Sequence, residues 1–372
     1  MSISLVDLIP RYKDERKIIL NSIDKILSKG NLVLTNELEE FEKNIARYTN
    51  SKYCLGLNSG TDALMISLWS LGIGRGDEVI TSPISFIATL GSIIHVGAKP
   101  VFVDVKEDFN IDEDLIEEKI TKKTKAIMPV HWAGRMCNMS KIKKIAKKHN
   151  LKVIEDAAQA MGAYYKSNHA GYYSDISAFS CHPLKNLNAL GDGGLIITNK
   201  KYLYDKIKIY RNHGLKKRDH VILFGVNSRL DVINAEVLKI RLKKLRQVIF
   251  KRTQNINFYK KYLKKNKFIQ FIASKKDFVD SNTLFLTRVK KRKLLIEHLK
   301  KKKIQTMIYY GTPLHFHPAA KKLGYKVGSL PVAEKLTREV LAFPHHQYLK
   351  ISELRYICKE ITNFYKKYEN NL

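Results

Sequence analysis

Between Ser51 and Asn199 short β-branched runs alternate with stretches of helical periodicity, and this alternation constrains the fold more than any other feature of the chain. Strands read at YCLGLNS (53–59), EVITS (78–82), PVFVDV (100–105), AIMPVH (126–131), KVIED (152–156), SAFSCH (177–182) and GLIITN (194–199). Between them, DALMISLWSLG (62–72) and SKIKKIAKKHN (140–150) place apolar residues three and four apart, as helices that cover a sheet do. Strands separated by helices form βαβ units, so the seven runs predict one mostly parallel sheet buried on both faces. Beyond about Arg241 the pattern shifts to an amphipathic helix, short strands near 268–273 and 282–289, and helices near 291–302 and 352–368. We read two units: a large domain over residues 1–240 and a smaller C-terminal α/β domain over 241–372. An N-terminal helix (Ile18, Ile19, Ile23, Ile26, Leu27) is free to pack on either.

Composition narrows the class. With 372 residues and 44% apolar content, the chain can bury a sizeable core, and it carries no low-complexity tract. The opening MSISLVDLIPRYKDER has no continuous apolar stretch, and no run elsewhere is long enough for a membrane span, which argues for a cytoplasmic protein. Four dispersed cysteines without a CxxC pair read as reduced thiols, and HxH at His315 and His317 without such a pair gives no metal site. The net charge of +32 invites a nucleic-acid reading. Its distribution argues otherwise: 23 Lys and Arg against three acids fall between Lys239 and Lys303, irregularly spaced and without a recognition motif beside them. That is the pattern of a solvated lysine-rich surface, and no nucleic-acid partner is expected.

Ligands of open α/β sheets gather at the carboxyl ends of strands. Three clusters lie there. NSGTDAL (58–64) leads from a strand into a helix whose free N–H groups, with Gly60 and Thr61, can hold a phosphate, although taken alone Ser-Gly-Thr-Asp reads first as an ordinary helix cap. VIEDAAQA (153–160) ends a buried strand in Glu155 and Asp156, with Gln159 following; a carboxylate there calls for a cationic partner, or it caps the next helix. SAFSCHPLKNLNALGDGG (177–194) carries Ser180 at a strand end, Lys185 on a turn that Pro183 keeps from being helical, and Gly191, Gly193 and Gly194, read as permitting unusual backbone paths. A lysine in a desolvated pocket has a lowered pKa, and its neutral amine can form a Schiff base with a carbonyl. A phosphate cradle, an acid for a protonated pyridine nitrogen and a lysine for an aldehyde together meet the needs of pyridoxal 5′-phosphate.

The ordered set GLNSGTDAL, GDEVITSPISFIAT, VIEDAAQA, HPLKNLNALGDGG and GVNSRLD, followed by IYYGTPLHFHP (308–318) and LPVAEKLTREVLAFP (330–344), resembles the nucleotide-sugar aminotransferases of DegT/StrS type, a branch of the fold-type I pyridoxal-phosphate enzymes. The resemblance implies roles. Lys185 would be the Schiff-base lysine and proton shuttle, and Asp156 the partner of the pyridine nitrogen. Gln159 would sit near the phenolic oxygen, Phe86 would stack on the ring, and Gly60, Thr61 and Ser180 would bind the phosphate. Asn227 would reach the phosphate of a partner subunit, so a homodimer with shared sites is implied. Tyr309, His315 and Arg229 would contact substrate. The same resemblance implies ping-pong transfer from L-glutamate, through pyridoxamine phosphate, to a nucleotide-linked keto-deoxy sugar at C3 or C4 for surface glycan synthesis. A small phosphorylated ketone is the alternative acceptor, and a non-catalytic cofactor-binding regulator the alternative function. A branch with histidine in place of the lysine performs dehydration, whereas this chain has Lys185. Cys181, His182 and the Tyr309-Tyr310 pair depart from the commonest pattern and bear on the choice of acceptor.

Overall fold

The computed structural model describes residues 2–273 and 275–368. All seven expected strands of the large sheet form: β1 (Tyr53–Leu57), β2 (Glu78–Thr81), β3 (Lys99–Phe102), β4 (Thr124–Met128), β5 (Lys152–Asp156), β6 (Ile176–Ser180) and β7 (Gly194–Thr198). Their spatial order is β1-β7-β6-β5-β4-β2-β3. Five run parallel from β6 to β3, while β7 lies antiparallel to both of its neighbours.

Both faces are covered, and the strand alternation assigns residues to each. On one face Ile127, Val153, Leu195 and Ile197 join a core with Phe41 and Ile45 of helix α2 (Asn36–Thr49). On the other, Ala126, Met128, Ile154 and Ile196 join a core with Ala63, Leu64, Ile66 and Leu68 of helix α3 (Gly60–Ser70). The period of two therefore sends Glu155 to the first face and Asp156 to the second. Helix α3, GTDALMISLWS, is apolar almost all round because it lies buried under its neighbours, whereas the helix Met139–Lys148 buries Ile142 and Ile145 and turns its lysines outward.

The C-terminal region builds a three-stranded antiparallel sheet from Ile269–Phe271, Leu286–Val289 and Val340–Ala342, with the helices Arg292–Lys301 and Ile351–Lys366 against it. The sequence pattern does not disclose its third strand. Residue 240 falls inside the helix Val232–Leu242, and the following helix, Leu245–Tyr262, contributes Leu245 to the large core and Ile256 and Tyr259 to the small one. The N-terminus serves both units. Ile3 bridges to Ile304 in the small core, while the helix Ile9–Leu27 packs Ile19 on Val237 and Ile240 and accepts a 2.8 Å hydrogen bond from Arg241 through Glu15. All four cysteines are buried and unbridged. No helix among the described residues is long and apolar enough to cross a membrane.

Ile154 is fully buried beneath α3, one residue from Glu155 and two from Asp156. Truncation to alanine removes its packing and leaves a cavity, with an expected loss of about 2–4 kcal/mol in chemical denaturation. A loss below about 1 kcal/mol would contradict the two-faced core.

Candidate active site

Asp156 closes β5 with its carboxylate buried on the α3 face. Its Oδ2 accepts a 2.6 Å hydrogen bond from the Thr89 hydroxyl, and its Oδ1 accepts one of 3.2 Å from the Ala158 N–H. Thr89 in turn shares a 2.6 Å hydrogen bond with Ser85. Burial pushes the Asp156 pKa above its ordinary value, opposed by those two donors and by the nearby Lys185 ammonium. Behind β5, Glu155 takes the opposite face and lies 2.6 Å from His131 Nε2, both fully buried. The His131 backbone N–H donates to the Asp156 carbonyl at 3.0 Å, so the two strand-end acids share one support.

Lys185 stands on the turn after β6, its backbone N–H bonded to the His182 carbonyl at 2.9 Å. Burial pulls its ammonium down to about 8, against the opposing pull of Asp156 and of Cys181. The turn is pinned from several sides: Asn186 donates to the Ser281 carbonyl at 2.6 Å, and Arg241 donates to the carbonyls of Asn188 and Ala189 at 2.7 and 3.0 Å. A mobile surface lysine has no such scaffold.

Ser59 caps α3 by accepting from the Asp62 N–H at 3.0 Å, so the ordinary cap is present. It leaves the N–H groups of Gly60 and Thr61 without intrahelical partners. These lie beside Ser180, since a Cβ on Gly60 would come within 2.8 Å of the Ser180 Cβ. Glycine is required there for close approach. Gly194 serves the same end, because a Cβ on it would meet the Ser59 carbonyl oxygen at 2.1 Å. The glycine-rich loop thus differs from expectation: Gly191, Gly193 and Gly194 do not adopt positive φ, and what Gly194 supplies is the absence of a side chain. Asp62 also accepts from Ser228 Oγ at 2.7 Å, tying the start of α3 to the GVNSR segment.

Gln159 is held on both sides, accepting from the Ala133 N–H at 2.6 Å and donating to the Tyr310 hydroxyl at 2.7 Å. Tyr310 faces Phe86 and Trp132, with ring centroids 6.4 and 6.0 Å away. Phe86 is 58% exposed at the start of the helix Ile87–His95, free to cover a planar ligand.

The structure therefore gathers Lys185 with Asp156, Gly60 and Thr61 with Ser180, and Phe86 with Gln159 through Tyr310. Other expected residues lie elsewhere. Asn227 and Arg229 line a cavity with Asn58 and Leu32–Leu34 that none of the preceding groups enters. Tyr309 lines a cavity beside Leu184, with Arg252. His315 is buried among Phe102, Phe316 and Tyr325, 3.4 Å from Glu334, and makes no contact with Asp156 or Gln159. Thr89, Ser228 and Tyr310 are the additions, each distant in sequence from the group it supports.

With the geometry established, comparison with known proteins places the chain. Residues 13–362 match the DegT/DnrJ/EryC1/StrS aminotransferase family, to which this chain belongs. It is 39% identical to a pleiotropic regulatory protein of Geobacillus stearothermophilus, covering 99% of this chain and all of the relative. It is 38% identical to the dTDP-3-amino-3,6-dideoxy-alpha-D-galactopyranose transaminase of Aneurinibacillus thermoaerophilus, over 95% of this chain and 96% of that one. The solved structure of DesV from S. venezuelae superimposes with a TM-score of 0.95 at 35% identity, covering 98% of each chain. The protein is an aminotransferase with the fold-type I architecture, and its cofactor is pyridoxal 5′-phosphate, held as that or as pyridoxamine phosphate in solved neighbours.

Two outcomes follow from the site. Thr89→Val removes a donor from a buried carboxylate and is expected to cost roughly 1–3 kcal/mol of stability and to raise the Asp156 pKa further; unchanged denaturation and an unchanged Asp156 titration would contradict the assignment. For Lys185, the folded pKa near 8 lies below the unfolded value. Unfolding then takes up a proton between about pH 8 and 10.5, so the cofactor-free protein gains stability from this group as pH rises through that window, and below about pH 8 the group only penalises folding. Lys185→Met is expected to remove that rise from a series of pH-dependent melts.

Proposed function

We propose that this chain transfers the amino group of L-glutamate to a keto-deoxy sugar carried on a nucleoside diphosphate, amination falling at C3 or C4, in the cytoplasm and in service of surface glycan synthesis. The observation that carries the chemistry is the Lys185–Asp156 pair beside the Gly60–Ser180 cradle. The transaminase from A. thermoaerophilus, named for a dTDP-linked amino sugar, supports the acceptor class.

The residues present fit the cofactor. A pocket that holds a raised-pKa carboxylate gains from a cation set against it, as a protonated pyridine nitrogen would be. The unpartnered N–H groups at the start of α3, with the Ser180 hydroxyl, suit a phosphate. Phe86 would cover one face of the ring, and Gln159, oriented by Tyr310 and the Ala133 N–H, would meet its phenolic oxygen. When bound, pyridoxal phosphate supplies a carbonyl for the amine and a ring that accepts the electron pair released from the donor Cα. Lys185, whose ammonium is pulled down to about 8 by burial, would take the proton from that Cα and return it at C4′.

Asn227 and Arg229 would act on the site of a second subunit in a homodimer. Exposed apolar side chains support this reading: Leu32, Val33 and Leu34 share the Asn227 cavity, and Val221, Ile222 and the 98% exposed Phe224 precede Asn227 in the chain. Tyr309 stays in the reading as a residue of the substrate side, whereas His315, packed on Glu334, would act only by holding its loop. A second reading, a regulator that binds the cofactor without turnover, draws on the printed name of the G. stearothermophilus relative.

The purified holoprotein, mixed with L-glutamate, is expected to lose its visible cofactor band. The band should return with one nucleotide-linked keto sugar from a panel that also contains small keto phosphates, and Lys185→Ala should abolish both changes. Return with a keto phosphate alone would overturn the sugar-nucleotide acceptor, and no response to any amino donor would favour the regulator.

A further inference from the structure

Six arginines are buried among the described residues: Arg11, Arg135, Arg211, Arg241, Arg252 and Arg288. Five are matched by a carboxylate. Arg11 and Arg241 both bond Glu15, Arg135 bonds Asp280, Arg211 bonds Glu42, and Arg288 bonds Glu107 and Glu339. Arg252, 6% exposed on the helix Leu245–Tyr262, has no acid within ion-pair distance among the described residues. Its Nη1 donates to Asn186 Oδ1 at 2.6 Å and to the Thr283 carbonyl at 3.2 Å, and its Nε to Gln347 Oε1 at 3.4 Å. These neutral acceptors orient the guanidinium without neutralising it, and Nη2 has no hydrogen bond to a described residue.

The surroundings sharpen the imbalance. Arg252 lines a cavity with Leu184, Tyr309, His345 and His346, and no acidic residue lines it. Burial lowers the pKa of both histidines and so disfavours their charged forms, whereas the Arg252 guanidinium stays charged. The cavity is tied to the lysine turn through the chain: Leu184, which lines it, precedes Lys185, and Asn186, which follows Lys185, is the side chain that holds Arg252. Tyr309 precedes Tyr310, the partner of Gln159. A buried guanidinium left without a counter-charge is costly, and one with a free edge has the fork geometry that suits a planar carboxylate.

We propose that Arg252 binds a carboxylate of the amino donor, its Nη2 edge facing the cavity beside Lys185. The proposal rests on the aminotransferase reading for the donor's identity.

The test compares two nucleophiles that react with the bound cofactor whether or not glutamate is the natural donor: aminooxyacetate, which carries a carboxylate, and methoxyamine, which does not. Wild-type holoprotein, Arg252→Lys and Arg252→Met are followed by the loss of the visible cofactor band. The expected result is a preference for aminooxyacetate that falls at least tenfold in Arg252→Met and less in Arg252→Lys, with the methoxyamine rate unchanged. The same preference in all three proteins would overturn the proposal while leaving glutamate conversion and the aminotransferase assignment intact. Equal loss of both rates, or of cofactor content, in both variants would make Arg252 a structural tie and likewise overturn it. An Arg252-dependent preference in a protein that glutamate fails to convert would keep the carboxylate site and remove glutamate as the donor.

Discussion

The carboxylate of Asp156, buried at the end of β5 and held by Thr89, is the interaction on which the site depends. Strand alternation puts it on the α3 face, where Lys185 approaches from the next strand and the start of α3 approaches from the cradle side. A carboxylate so placed is unstable alone and stable against a cation. The same pocket presses the other way on Lys185, whose ammonium is destabilised by burial and only partly compensated by Asp156. In the proposed function the two groups would meet opposite requirements of one chemistry: an acid ionised against a pyridinium, and an amine free to react and to carry a proton.

Precision comes from contacts outside the reacting set. Ser85 and Thr89 form a relay of hydroxyls to Asp156, while Glu155 and His131 brace the same strand end from behind. Arg241 and Asn186 fix the lysine turn to elements of both cores. Gly60 and Gly194 bring the cradle's parts within van der Waals distance by having no side chains. Each of these is a local answer to burying polar groups, and together they leave little freedom where the cofactor must sit.

Much of this was legible in the chain. The seven strands follow from β-branched runs; Asp156 is marked by closing a buried apolar strand, although a helix cap reads the same way, and Lys185 by lying on a turn that Pro183 keeps from being helical. Thr89 and Tyr310 were not legible, because their importance lies in contacts spanning 67 and 151 residues that no periodicity encodes. The strand Val340–Ala342 escaped for a related reason: three residues take their extended form from pairing with Leu286–Arg288. The position of His315 against Glu334 was likewise not legible, because that contact spans 19 residues. Arg252 was hidden by arithmetic, since it sits among 23 basic residues whose count does not separate the buried from the solvated.

The proposed function requires that Lys185 be the residue joined to the cofactor, within reach of Asp156. Borohydride reduction of the yellow holoprotein, proteolysis and mass mapping of the pyridoxyl label test it directly. The expected result is a single modified peptide with the label on Lys185. A label on another lysine, or a reduced protein carrying none, would contradict it.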